Sequence, residues 1–251
     1  MTAWKSAVAR AFDGAAAYDG SARVQALVAR ALAEAVAARK PAAASVLEIG
    51  CGTGLLTAAL LPRLAHESWL ATDIAPAMIG RCRARLGAVP GLCHAVMDGE
   101  RPALAPGFDL VVSSLAAQWF LDQPAAFRGL AGLLRPDGLL AVATLVEGTF
   151  AEWRAAHEAL GLPCATPRFP PAEALAGLAI EGCTTDLTLE RVGERHADGT
   201  AFLQALRAIG AQTGRSAPLS PGALRRVLRR FEAQGASVTY AVATLLVRRA
   251  G

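Results

Sequence analysis

The stretch VLEIGCGTGLLTAALL, Val46–Leu61, sets three glycines at alternate positions between a β-branched apolar run and a helical one. Glycine lets the main chain take positive φ and lets a ligand approach the backbone closely. The helix that follows presents unpaired N–H groups and the positive end of its dipole. Such a turn suits a nucleotide-like ligand. A dinucleotide fingerprint, GxGxxG, needs a glycine at position 55. Leu55 stands there instead, so the spacing is GxGxG (Gly50, Gly52, Gly54), with Glu48 ahead of it at the strand end.

Working outward from the turn, strands and helices alternate. SVLEIG (45–50) leads to a helix over 53–65, and SWLATDI (68–74) leads to a helix over 76–86. LCHAVMD (92–98) and FDLVVSSL (108–115) read as strands, followed by a helix over 123–134, the turn RPDG and the strand LLAVATLV (139–146). This rhythm predicts a mostly parallel α/β sheet with helices on both faces. Near-continuous Val, Ile and Leu runs fit strands covered on both sides. Upstream, residues 21–39 have helical spacing, with Ser21 as the expected N-cap, within a helical N-terminal cap of about residues 1–40. Downstream come helices over 151–160 and 171–178, a strand over 184–192, helices over 198–210 and 220–234, and the strand ASVTYAVATLLVRR. The extra helices, about 151–180 and 198–235, are expected to cover the carboxyl ends of the strands, where doubly wound sheets bind ligands.

Composition narrows the class. The 251 residues are 53% hydrophobic and 18% charged, enough for one sizeable domain. No apolar run approaches the roughly 18 to 20 residues of a membrane span, and MTAWKSAVARAFDG lacks the apolar core of a secretory signal. The expectation is a cytoplasmic protein with no membrane partner. Five scattered cysteines without CxxC spacing argue against a disulfide framework or a zinc site. The formal net charge is +4, concentrated in RCRAR (Arg81–Arg85) and LRRVLRR (Leu224–Arg230). Basic helix faces attract acidic partners, but without interleaved aromatics nothing points to nucleic acid.

With Glu48, the turn reads ExGxGxG and resembles motif I of the class I S-adenosylmethionine-dependent methyltransferases. The resemblance implies a Rossmann-like fold with a seven-stranded sheet and a helical lid, and S-adenosylmethionine as cofactor. Asp73, ending the second strand in LATDIAP, matches the carboxylate that holds the ribose hydroxyls. Asp98 in VMDGE matches the acceptor for the adenine amino group, with Met78 and Met97 as flanking apolar contacts. FDLVVSS, containing Ser113, completes the motif order.

The segments VARAFDGAAAYDGSARVQ, SSLAAQWFLDQPAAF, TLVEGTF, RFPPAEAL, ALRAIGA and VTYAVATLLVRR occur in the order typical of malonyl-acyl-carrier-protein O-methyltransferases of biotin synthesis, and the similarity runs nearly end to end. Ala75 departs from the serine of many relatives, and DGERPAL is a loose version of their acidic stretch. The resemblance implies methyl transfer to the free carboxylate of malonyl-acyl carrier protein or malonyl-CoA. It brings Tyr18 and Trp119 forward as site aromatics, Arg168 and Arg207 as candidates for the acceptor carboxylate, and LRRVLRR as a face for an acidic carrier. A malonyl carboxylate is ionised at neutral pH, so no general base is required, and no Ser/His/Asp or Cys/His set is evident. Another small acceptor, such as a quinone or a carboxylic acid, or a non-catalytic cofactor-binding role, stays open at this level; a nicotinamide dehydrogenase is disfavoured by the GxGxG spacing.

Overall fold

In the computed structural model, which describes residues 2–15, 18–208 and 219–251, the glycine turn leaves the centre of a mixed sheet. Seven strands are present among these residues: β1 (Ser45–Ile49), β2 (Ser68–Asp73), β3 (Leu92–Val96), β4 (Phe108–Ser114), β5 (Leu134–Leu145), β6 (Cys183–Arg195) and β7 (Ser237–Arg249). Their order across the sheet is β3-β2-β1-β4-β5-β7-β6. β1 to β5 pair in parallel, whereas β7 is antiparallel to both β5 and β6. The chain order reverses beside β1, between β2 and β4, and there a doubly wound sheet opens a crevice at the carboxyl ends of its strands.

Alternate residues of the central strands feed two apolar layers. Val46, Val112 and Ala141 pack with Val28, Leu32 and Val36 of α3 (Arg23–Arg39). Leu47, Val111 and Leu140 face Phe127 and Leu130 of α6 (Gln123–Gly132) on the other side. The N-terminal segment forms α1 (Ala3–Asp13), capped by the Thr2 hydroxyl, and the short α2 (Tyr18–Ser21). α4 (Leu55–Leu60) follows the glycine turn, and α5 (Pro76–Leu86) starts on a proline and stops at Gly87 with φ 65°.

Of the later helices, α7 (Ala151–Glu158), α9 (Gly199–Ala208) and α10 (Pro221–Glu232) meet in one aromatic cluster of Phe150, Trp153, Phe202 and Phe231. α8 (Ala172–Ala176) is a single turn whose Leu175 joins the opposite layer. The end of the helix expected over 198–210, with Ile209, Gly210 and Ala211 of ALRAIGA, lies outside the described residues.

Two local expectations are corrected. Ser21 does not cap a helix: it ends α2, and α3 starts after Ala22 with no side-chain cap. RPDG lies within β5 rather than before it, because the pairing register with β4 shifts between Phe108 and Leu110 and Asp137 takes φ 61°. The extra residues are absorbed as a bulge.

Candidate active site

The turn is built so that its backbone comes close to β4. Gly50, Gly52 and Gly54 have φ of 67°, 54° and 85°. A Cβ on Gly50 would fall on the Ala116 methyl, and one on Gly54 would crowd Cys82 Sγ. Two bonds tie the turn to β2: Cys51 N donates to Thr72 O at 2.8 Å, and Gly52 N donates to Asp73 Oδ2 at 2.9 Å. Glu48 sits beneath the turn, 1% exposed, and its Oε2 accepts from Thr57 Oγ1 at 2.8 Å and Trp69 Nε1 at 3.1 Å. Burial pushes the Glu48 carboxyl up to about 7, against the opposing pull of the Thr57 and Trp69 bonds.

Above the turn lies a cleft of about 660 Å³ whose lining includes Gly50, Asp73, Ile74, Met97, Asp98 and Gly99. Asp73 Oδ1 accepts from Ala75 N at 2.8 Å while Oδ2 takes Gly52 N. Each oxygen therefore keeps lone-pair capacity for a further donor. Burial holds this carboxyl above its ordinary range, with the Ala75 and Gly52 amides pulling the other way. Asp98 is engaged by Lys5 from α1, whose Nζ lies 2.6 Å from both of its oxygens and 2.5 Å from Glu100 Oε2. Glu100 also accepts from the amides of Leu121 (3.1 Å) and Asp122 (2.8 Å). Burial works to raise the Glu100 carboxyl, but the bonds from Lys5, Leu121 and Asp122 and the Lys5 charge hold it below its usual value.

The roof comes from the N-terminal cap. Lys5, Val8 and Phe12 of α1 and Tyr18 of α2 all line the cleft. Phe12 meets the Trp119 ring edge-on at 5.6 Å, and Trp4 Nε1 donates to Trp119 O at 3.3 Å. RCRAR supplies the clasp: Arg81 donates to the carbonyls of Phe12 (3.2 Å) and Asp13 (3.0 Å), and Arg85 pairs with Asp19 at 2.5 Å and donates to Thr53 O at 2.7 Å. Behind the aromatic wall lies a second cavity of about 510 Å³. It shares Phe12, Tyr18, Leu115 and Trp119 with the cleft and extends to Phe150, Pro167, Phe169 and Tyr240. The arrangement offers two adjoining chambers, one lined by carboxylates and backbone, the other largely aromatic.

A family model described as a methyltransferase domain matches residues 47–140. The chain is 41% identical over 241 residues to the malonyl-[acyl-carrier protein] O-methyltransferase of Magnetococcus marinus, covering 94% of this chain and 89% of that one. The chain belongs to the malonyl-[acyl-carrier protein] O-methyltransferase family. It is also 47% identical over 239 residues to the biotin biosynthesis bifunctional protein BioCD of Bordetella avium, covering 93% of this chain but 50% of that protein, so it spans about half the length of that relative. Among solved structures, the phospholethanolamine N-methyltransferase 2 of Haemonchus contortus, in complex with phosphomonomethylethanolamine and S-adenosylhomocysteine, matches with a TM-score of 0.61 at 15% identity, over 100% of this chain and 60% of that one. That likeness speaks for the fold alone.

For a chain of this methyltransferase family, the residues singled out by sequence fall into three groups. Gly50, Asp73, Asp98, Met97, Tyr18 and Trp119 line the cleft. Gly52 and Gly54 shape the turn behind it, Glu48 supports that turn from below, and Met78 is 1% exposed in a small cluster with Ala15 and Ala75. Ser113 is fully buried in β4 with no partner for its hydroxyl among the described residues; its neighbour Ser114 lines the cleft. Arg168 and Arg207 are exposed, and neither is among the residues lining the two chambers, although Pro167 and Phe169 on either side of Arg168 line the second. Sequence reasoning missed Lys5, Val8 and Phe12. Their spacing, three and then four residues, places them on one face of a helix, and that periodicity is the signal that could have found them.

Proposed function

We propose that the chain transfers the methyl group of S-adenosylmethionine to the free carboxylate of malonyl-acyl carrier protein, giving the malonyl methyl ester that primes pimeloyl synthesis for biotin. One observation carries the reading: a cleft lined by the glycine turn and two carboxylates adjoins, across Phe12, Tyr18 and Trp119, a second, largely aromatic chamber. The cofactor supplies an electrophilic methyl on a sulfonium. Asp73 is suited to accept from the ribose hydroxyls, Asp98 from the adenine amino group, and Met97 to pack on the ring, with Gly50 admitting close approach. Gly52, Gly54 and Glu48 keep the turn in shape, while Met78 and Ser113 support the walls. Catalysis is by orientation and exclusion of water, with Tyr18 and Trp119 forming the partition between the two reactants.

Arg225, Arg226, Arg229 and Arg230 of α10 are all exposed, and Arg168 and Arg207 are exposed beside the second chamber's loops and on α9. To these exposed cations we assign the docking of an acidic carrier protein, in the cytoplasm. Malonyl-CoA, which lacks the carrier protein's surface, is the alternative methyl acceptor. The test is incubation with methyl-labelled cofactor and malonyl-carrier protein: a base-labile methyl ester is expected, and its absence would overturn the assignment.

A further inference from the structure

Among the described residues, no lysine or arginine lines the second chamber. Several cations of the walls and the cap around them are engaged elsewhere. Lys5 is held by Asp98 and Glu100, Arg81 by two cap carbonyls, and Arg85 by Asp19 and Thr53. Arg154 donates to the carbonyls of Thr149, Thr166 and Pro167 and so fixes the loop that brings Pro167 and Phe169 to the wall.

What the partition does hold is an unspent donor. Trp119 lines both chambers, and its indole Nε1 is buried with no acceptor among the described residues. A buried N–H without a partner costs free energy and persists where something else satisfies it. The 3₁₀ turn that carries Trp119 (Ala117–Trp119) is anchored by its neighbours. Gln118 Nε2 donates to Leu115 O at 2.6 Å, and Gln123 Nε2 donates to Ala117 O at 2.9 Å. The ring itself is braced edge-on by Phe12. The indole is thus set by packing and backbone bonds, as a recognition group must be.

We infer that the acceptor carboxylate is held at the partition by uncharged donors, chiefly Trp119 Nε1–H, and not by an arginine. The inference rests on the proposed methyl transfer. In that reaction the carboxylate oxygen forms the new C–O bond as the C–S bond breaks and its electron pair returns to sulfur; no proton moves. An anion and a cation become two neutral groups. A fixed cation touching the carboxylate would stabilise the ground state more than a transition state in which that negative charge is fading. A neutral N–H orients the oxygen with a smaller penalty. Tyr18, on the same wall, is a second such donor, because burial first, then the Asp73 and Asp19 carboxylates, raise its phenol well above the usual value and keep the proton in place.

The test uses Trp119→Phe, which keeps a ring and removes the N–H, alongside Arg168→Ala. With wild type forming the ester, Trp119→Phe is expected to lose about 10- to 100-fold in kcat/KM for malonyl-carrier protein, the range for a hydrogen bond to a charged group. Its S-adenosylhomocysteine affinity should stay within about twofold, while Arg168→Ala raises KM with little change in kcat. Wild-type kcat/KM in Trp119→Phe, or loss of kcat in Arg168→Ala with cofactor affinity intact, overturns the inference while leaving the methyltransferase assignment standing. A wild type that forms no ester overturns both. Independently of how the variant folds, protein carrying ¹⁵N-tryptophan and saturated with S-adenosylhomocysteine should show one indole N–H resonance moving downfield on adding unlabelled malonyl-carrier protein. If no indole resonance moves, the inference falls.

Discussion

Lys5 Nζ stands 2.6 Å from both oxygens of Asp98, a partner 93 residues away in the sequence, and the same ammonium reaches Glu100. One buried cation from the cap thus pairs with two carboxylates just past the end of β3. Removing it leaves Glu100, 7% exposed, without its countercharge. Lys5→Met is expected to cost about 3 kcal/mol, the range for breaking one side of a buried pair. Thermal unfolding should show this as a drop of roughly 6 to 12 °C for a chain of this size. The Glu100 carboxyl is held below its unfolded value, so its contribution is present at neutral pH and lost as pH falls through the native pKa. The deficit of Lys5→Met against wild type should therefore narrow in acid.

Glu48 produces the opposite slope. Its carboxyl is raised to about 7 in the native state by burial, above its unfolded value near 4.3. Between these values the native state binds more protons than the unfolded one, so stability falls as pH rises. The loss is complete about a unit above pH 7 and amounts to roughly 4 kcal/mol. Glu48→Gln retains an acceptor for Thr57 and Trp69 and cannot ionise. Denaturant titrations from pH 4.5 to 8 should show a flatter profile for the variant, with its greatest advantage over wild type at the alkaline end.

Gly50 meets two separate constraints, a φ of 67° and the Ala116 methyl. Gly50→Ala should weaken S-adenosylhomocysteine binding by tenfold or more, since overpacking costs about 1 to 3 kcal/mol. Adding Ala116→Gly relieves the overlap and leaves only the left-handed strain, about 1 to 2 kcal/mol. Calorimetry should find the double variant binding more tightly than Gly50→Ala and less tightly than wild type.

The exposed arginines of α10 should act through the carrier and not through the chemistry. Reversing Arg225 and Arg229 to glutamate is expected to raise KM for malonyl-carrier protein while leaving turnover of malonyl-CoA unchanged. Added salt should reproduce the effect in wild type, because exposed charges are screened beyond a Debye length of about 8 Å at physiological ionic strength. Equal losses with both substrates would place these arginines elsewhere in the mechanism.

The parts of the molecule legible from sequence are those in which local chemistry settles the conformation. Pro76 and Gly87 bracket α5, and the expected helix over 76–86 matches to the residue. The GxGxG turn and Asp73 are readable because positive φ and a strand-end carboxylate are demands of the main chain itself. The cap resists reading for the converse reason. Nothing local to Lys5 or Phe12 announces that Asp98 or Trp119 will stand opposite, and Ser21 has the right chemistry for a cap in a place where the preceding turn, α2, already uses it. RCRAR reads by composition as a basic face for an acidic partner, but two of its arginines bond to the cap. Arg168 and Arg207 stand out by charge, whereas the second chamber is walled by aromatic and amide groups.

The placement of β7 between β5 and β6 governs the order in which the chain can assemble. Among the described residues, β6 hydrogen-bonds along its whole length to β7 and to no other strand, and β5 has β7 as its outer neighbour. Until residues 237–249 leave the ribosome, both strands carry an open edge through the synthesis of the intervening helices. Non-local pairing of this kind is slow and exposes strand edges that invite association. Nascent chains stalled before Ser237 should therefore be the aggregation-prone species, and chaperone capture should decline once the final strand inserts.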